Sequence, residues 1–401
     1  MDAVTGRTIW EVPFDATDIT LDDTVVSDGR VGVACMVQDG VVIVHGTGSL
    51  GHPHREFLAG EFARRALYAF AADTGRVLWG GRRGYRKRPI IVGGRVFAEP
   101  FAWDLHTGRQ QTIANPLSGQ PQILDFHRGY IGCGHLLASG AALFGNKPGI
   151  AYWNIDSVAG FVPFESLVFG CGICATPACG VFVAPEGRSG CACPAGIHTS
   201  LALYPKPTPR AWGLGFSGGI APTVSLPVRH VAVNLGAPGW REDEQRLWVP
   251  YPARGESGLI GTWLPRYQHQ SEQFYYLAPE LLPIRGTDRP WLYTSGCQAD
   301  TELKFRLEEP PSAAAAYTVR LHFAEPDESR PGRRVFDVWL QGQPVLTDYD
   351  VAQDAGGPRR AVIKEFPGIR VTGELAIRLQ RSAAAPERSP ILCAVEAQRE
   401  E

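Results

Sequence analysis

Residues 67–79 read LYAFAADTGRVLW, and the same corner stands in residues 1–10 as MDAVTGRTIW and in residues 102–112 as AWDLHTGRQQT. In the first copy Asp2 is followed by Thr5 and Gly6, with Trp10 beyond the glycine. The second keeps Thr74, Gly75 and Trp79 but has Ala71 where the aspartate belongs. The third keeps Asp104, Thr107 and Gly108 and has Thr112 in place of the tryptophan. This is the chemistry of a turn: Asp and Thr side chains bond nearby backbone groups, Gly takes a positive φ, and the departing strand offers its Trp to a neighbouring unit. The glycines lie 69 and 33 residues apart. The longer interval therefore holds an insertion or a worn copy, for which HGTGSLGHPHREFLAGEF (45–62) is the candidate.

Short apolar or alternating runs flank each corner: GVVIVHG (40–46), ALYAFAA (66–72) and RPIIVGGRVFAEPFAWDL (88–105). They predict strands, although AGEFARRALYAFAA (59–72) also fits a short helix. Four-stranded units at ~40-residue spacing predict an all-β, partial β-propeller of about four or five blades over residues 1–205. On its corners the chain resembles the pyrroloquinoline-quinone-type propeller repeat of exported bacterial proteins. That resemblance implies a Met1 lying inside a blade, further blades upstream, and a chain that is the C-terminal part of a longer periplasmic or cell-surface protein. Catalytic members carry a Cys-Cys pair and a calcium site; no Cys-Cys dipeptide occurs here, so quinone with calcium is not expected and the enzyme class ranks second.

With 44% hydrophobic and 20% charged residues, the 401-residue chain can bury cores. Its 46 Gly and 32 Pro suit a fold of many turns. A net charge of −2 disfavours nucleic acid as the main partner. No stretch reaches the ~20 apolar residues of a membrane span, and MDAVTGRTIWEVPF is no signal peptide. Neither nucleophile elbow nor Walker loop nor His-Glu-x-x-His is present.

Residues 129–205 concentrate cysteine: Cys133, Cys171, Cys174, Cys179, Cys191 and Cys193. Disulfides are the leading reading, since bridges staple Gly/Pro-rich loops in exported proteins, and six cysteines leave fifteen pairings open. A structural zinc on Cys171, Cys174, Cys191 and Cys193 is the second reading, a redox-active Cys171-x-x-Cys174 the third. His127, His135 and His198 read as polar loop residues. The order of Cys133, Cys171, Cys191 with Cys193, and SLALYP from Ser200 resembles the last-blade region of large exported propeller proteins; Cys174 and Cys179 are additions to that pattern, expected to pair with each other or to remain free.

YPKPTPRAWGLGFSGGIAPTVSLP (204–227) is rich in Pro and Gly, and its residues 206–227 read as a linker. Beyond it the period is two. AYTVRLHFAE (316–325) sets Tyr317, Val319, Leu321 and Phe323 against Thr318, Arg320 and His322. RVFDVWLQG (334–342) sets Phe336, Val338 and Leu340 against Val335, Asp337 and Trp339, and ELAIRLQ and ILCAVEAQ follow suit. Half-buried strands joined by turns such as EPDESRPG predict an antiparallel β-sandwich or jelly roll over 228–398. Together with NLGAPGWREDEQRLWVPYP (234–252), these motifs resemble the malectin domain, a carbohydrate-binding jelly roll. In that family aromatic residues just after the FAE strand help hold the sugar; Pro326 and Asp327 stand there in this chain. Because sugars gain energy by stacking on flat rings, the remaining ligand candidates are Trp240, Trp248, Trp263, Tyr275, Tyr276, Trp291 and Tyr293, with Asp337 and Asp348 as polar partners or turn residues. The functional expectation is a non-catalytic scaffold and binding protein for a glycan or a cell-envelope protein. The alternatives are a truncated quinone-dependent dehydrogenase and an outer-membrane assembly factor.

Overall fold

The computed structural model describes residues 4–13, 33–46, 65–126 except 86, 135–185 except 148, 158–160 and 165–174, 200–204, 226–252 except 240 and 244–245, 273–309 except 278–281, and 313–401 except 386. It divides into two compact units: Met1–Ile113 with Gln122–Ala211 and Ser217–Ala221, and Ala114–Pro121 with Trp212–Phe216 and Pro222–Glu401. Both are built from strands.

In the first unit, strands adjacent in sequence pair antiparallel. Val33–Gln38, Val41–Gly46, Ala66–Ala71 and Val77–Arg82 form one sheet, and Ile90–Val92, Arg95–Ala98 and Phe101–Asp104 the next. Leu137–Ala138, Ala142–Lys147, Gly149–Asn154 and Val162–Phe164 make a third; Thr176–Ala178, Val181–Ala184 and Leu201–Leu203 a fourth. The stretch 66–71 that also fitted a helix is thus a strand, its Leu67 and Ala69 packing with Val41 and Ile43. Consecutive sheets share cores. Ile43 and Leu67 pack with Val96 and Trp103, Phe97 with Leu143 and Trp153, and Ile150 and Phe144 with Phe182 and Leu203. No closed ring of sheets is found among the described residues.

The corners explain how sheets meet. The Asp104 carboxylate accepts from the backbone N of Thr107 at 2.7 Å, the Thr107 hydroxyl at 2.8 Å and the His106 N at 3.1 Å. These bonds, the Thr107 backbone first, hold its carboxyl below the usual carboxylate range. Gly108 takes φ +65° and donates its N–H to the Asp104 carbonyl at 3.0 Å. The indole N–H of Trp79 then donates to the Leu105 carbonyl at 2.9 Å, with its ring so close that a Cβ on Gly108 would lie 2.6 Å away. Trp10 repeats this on the second corner: its indole donates to the Ala72 carbonyl at 2.8 Å, and a Cβ on Gly75 would lie 2.6 Å from its ring. Each of these glycines is therefore required twice, for its backbone and for the ring above it. Thr5 and Gly6 lie in the described part of the first corner, where the Thr5 hydroxyl accepts from the Arg7 N at 3.4 Å; Asp2 lies outside the described residues.

The second unit has two main sheets. The larger runs in the order Arg241–Asp243, Arg246–Tyr251, His230–Leu235, Ala394–Arg399, Ala315–Phe323, Val362–Val371. The smaller runs Thr301–Arg306, Glu374–Arg381, Val335–Leu340, Gln343–Asp350. The expectation of purely antiparallel pairing is corrected at one place: His230–Leu235 and Arg246–Tyr251 pair in parallel, because the Arg241–Asp243/Arg246–Tyr251 hairpin adds its second arm to the sheet. The inner faces are those the alternation predicts, with Tyr317, Val319, Leu321 and Phe323 buried opposite Phe336, Val338 and Leu340. Ring pairs cross between the sheets, Phe323–Phe336 at 6.1 Å and Tyr251–Phe305 at 5.9 Å. Aromatic packing of this kind contributes about 0.5–1.5 kcal/mol per pair beyond area burial. Residues 115–119 belong to this unit and form a further corner of the same design: Asn115 Oδ1 accepts from the Leu117 and Ser118 N–H groups, and Gly119 has φ +71°.

Candidate functional site

The aromatic residues that sequence nominates for ligand are mostly used for packing. Trp248, Trp291 and Tyr293 are buried in a second small core on the outer face of the six-stranded sheet. The short 3-10 helix Pro290–Tyr293 brings two of them there. Trp248 meets Trp291 edge-on at 5.9 Å and His322 at 5.7 Å, and the Arg241 guanidinium lies 4.4 Å from the Trp291 ring centre. Tyr275 turns inward, its hydroxyl 3.7 Å from Cys393 Sγ and its ring against Gly296; burial pushes its phenol well up. Tyr275 is nonetheless only half-buried as a residue, and its neighbour Tyr276 is exposed. Trp240 and Trp263 lie outside the described residues. Asp337 accepts from the Asp348 N at 2.7 Å between the paired strands Val335–Leu340 and Gln343–Asp350, where their register shifts.

A polar chain runs through this covered face. The Tyr293 hydroxyl lies 3.0 Å from His322 Nδ1, and His322 Nε2 lies 2.9 Å from Glu396 Oε1. The other Glu396 oxygen faces Arg246 at 3.1 Å and His230 at 3.6 Å. Burial alone would raise the Glu396 carboxyl, but the bonds from His230 and His322 and the charge of Arg246 hold it well below the usual carboxylate range. Alternation places His322 on the solvent side; the segment carrying Trp291 and Tyr293 covers it. Nothing in the sequence near His322 signals this.

The strand Ala315–Phe323 then runs into the very loop where the malectin resemblance expects aromatic residues. Instead of rings, a charged construction stands there. Glu325 and Arg334 are each about 1% exposed and pair in two places, Nε to Oε2 at 2.7 Å and NH2 to Oε1 at 3.2 Å. Arg334 also donates to the Ser389 carbonyl and, at 3.2 Å, to Asp327. Asp327 is half exposed and takes a second guanidinium, that of Arg388, at 2.5 Å. Beside it Arg359 pairs with Glu328 at 3.1 Å, and its backbone N–H holds the Glu325 carbonyl at 2.8 Å. Gly332 donates to Asp350, fixing the far end of the loop. The Arg334 guanidinium thus joins two other chain segments, 325–327 and Ser389.

A buried ion pair of this kind returns little net stability, because desolvation offsets the attraction, whereas losing one partner costs about 3–5 kcal/mol. Its chemical product is orientation: Asp327 and Arg388 are presented to solvent on a fixed base, able to exchange charge-assisted hydrogen bonds. Sequence reasoning noted Asp327 only as a missing aromatic. The Glu325 and Arg334 pairing had no motif to announce it.

Of the two expectations for Cys179, pairing with Cys174 or remaining free, the structure has the second. Cys179 occupies the first place of a two-residue hairpin turn, φ +51° before Gly180 at φ +76°, where it is an exposed free thiol. Tight turns of this type point the side chain to solvent. Cys133, Cys171, Cys174, Cys191 and Cys193 lie outside the described residues, and with them the zinc reading. Among the described residues no group of three His, Cys, Asp or Glu side chains could hold a metal, and no helix is long and apolar enough to cross a membrane.

Comparison with known proteins finds that residues 231–388 match the Malectin domain family. A probable leucine-rich repeat receptor-like serine/threonine-protein kinase of Arabidopsis thaliana is 38% identical over 81 residues, 19% of this chain and 8% of that protein. A second such kinase from the same plant is 30% identical over 130 residues, 30% of this chain and 12% of that protein. The chain thus spans about a tenth of the length of these relatives. Among solved structures, the ANXUR2 extracellular domain of Arabidopsis thaliana matches 43% of this chain and 49% of its own, at 11% identity and TM-score 0.34. These findings correct the expectation of an exported bacterial quinone-type propeller protein: the family match is the Malectin domain at residues 231–388, and the relatives named are plant receptor-like kinases.

Proposed function

We propose that this chain is a non-catalytic binding part of an extracellular or cell-surface protein, and that its second unit holds ligand at the loop built around Glu325, Asp327, Arg334 and Arg388. The match of residues 231–388 to the Malectin domain supports a binding role. The observation that carries the site is the buried Glu325–Arg334 pair, which holds the half-exposed Asp327 between two guanidinium groups. Recognition here runs through charge-assisted hydrogen bonds, in place of ring stacking. The ligand is accordingly a polar carbohydrate or polypeptide group bearing charge, and its binding weakens as salt rises.

The test is a screen of the full chain against arrayed glycans and arrayed peptides, repeated for Asp327→Ala and Arg388→Ala. A hit lost in both variants and weakened by salt supports the reading. A hit that both variants retain removes the strand-end loop as the site.

A further inference from the structure

The strand-end loop sits in a basic surround, on a chain whose net charge is −2. Arg334 and Arg388 share Asp327, and Arg359 pairs with Glu328. Around these pairs stand Arg285, Arg330 and Arg360, all exposed, and among the described residues no carboxylate pairs with them. Arg330 lies two residues beyond Glu328. Arg285 and Arg360 are opposed in a parallel bridge: the Arg285 N–H donates to the Arg359 carbonyl and the Ala361 N–H to the Arg285 carbonyl, both at 2.9 Å. Residues opposed in this way point to one side of the ladder. The backbone thus holds two like charges together, and the Arg359 N–H ties them to the loop through the Glu325 carbonyl. An anion placed between such charges is attracted by both.

The same segment leads into open backbone. Beyond Ala361 the chain enters Val362–Val371, the edge strand of the larger sheet, whose inner neighbour is Ala315–Phe323. Towards the far end of that edge Pro367 has no N–H to give, and the Gln341 side chain donates to the Arg370 carbonyl at 3.2 Å. The stretch 362–366, next to the arginines, is therefore the part suited to take a further strand, and Ile363 there is 51% exposed. An edge of this kind offers a row of N–H and C=O groups with which an extended chain can pair.

We propose that this corner of the second unit docks an acidic polypeptide segment, added as a strand along 362–366 with its carboxylates against Arg285 and Arg360. The proposal rests on the strand-end loop reading and gives its ligand a sign of charge and a chemical class. The unpaired guanidinium groups set the charge. The edge backbone sets the class, since a peptide continues the ladder and a uronate polymer answers the charge alone.

The experiment is fluorescence anisotropy of the full chain with a labelled decapeptide of alternating Glu and Val. Its Gln-for-Glu and Lys-for-Glu counterparts and an oligogalacturonate of like charge are titrated beside it. The acidic peptide binds in the micromolar range, and the neutral and basic peptides bind about tenfold or more weakly. Raising salt from about 0.05 to about 0.3 M weakens the acidic peptide about tenfold. Arg285→Gln and Arg360→Gln each weaken it about threefold or more; both side chains are exposed, so the fold is not at stake. Methylating alternate peptide nitrogens abolishes binding in one of the two registers. Silence of the acidic peptide, equal binding of the neutral one, or full affinity in both arginine variants overturns the proposal. Binding of the oligogalacturonate alone assigns the corner to an anionic polysaccharide and overturns it too, as does indifference to methylation in both registers. None of these results touches the strand-end reading, which is tested separately through Asp327 and Arg388.

Discussion

Two polar groups, one in each unit, are held in opposite ways. In the first unit Asp104 bonds its own neighbourhood, satisfying the N–H groups two and three residues ahead of it, in the open. In the second Tyr293, His322 and Glu396 bond across the fold, over separations of 29 and 74 residues, in the interior. A local bond is a motif and can be replaced by water when broken. A long-range buried bond leaves its partner stranded, and desolvation makes that expensive.

Substitutions can break or sharpen this contrast. The largest effect belongs to Glu396→Ala, which strands Arg246 and two histidines; a loss of about 3–5 kcal/mol is expected from urea unfolding. Its local counterpart, Asp104→Ala, costs about 1 kcal/mol, since the N–H groups it leaves are exposed. Equal costs would erase the distinction. Next is Gly108→Ala. A methyl at positive φ costs about 1–2 kcal/mol, and displacing the Trp79 ring adds about 1–3 kcal/mol.

Acid sharpens the contrast further. The Glu396 carboxyl is depressed in the folded state, so below its unfolded value the unfolded chain binds more protons and stability falls. The stabilisation is fully present above about pH 5 and declines as pH drops through about 4. Glu396→Gln flattens that part of a pH series of unfolding midpoints. The smallest effect is a gain. The corner at Ala71 keeps its backbone bond, Gly75 N to Ala71 O at 2.8 Å, but has no carboxylate. Ala71→Asp completes it and adds about 0.5–1 kcal/mol, read as a rise in midpoint.

What was legible in the sequence follows the same division. The Asp104 corner and its glycine are visible because each depends on residues within one turn; the docking of Trp79 reaches 26 residues on, and the recurrence of the motif is what signals it. The alternation in 316–325 and 334–342 correctly assigned the inner faces. The corner at Asn115, Ser118 and Gly119 escaped notice because Asn and Ser replace Asp and Thr, although the side-chain oxygens do the same work. His322 was assigned to solvent, since a period of two tells which way a side chain points and not what lies above it. The pairing of Glu325 with Arg334 depends on where two strands end, and strand ends are set by packing.

The indole clasps of the first unit have one more consequence. Trp10 seats on the corner at Gly75, and Trp79 on the corner at Gly108, so each seam is closed by a residue supplied from the preceding segment. Opening one seam should loosen its immediate neighbours first and distant ones last, a gradient that amide hydrogen exchange resolves.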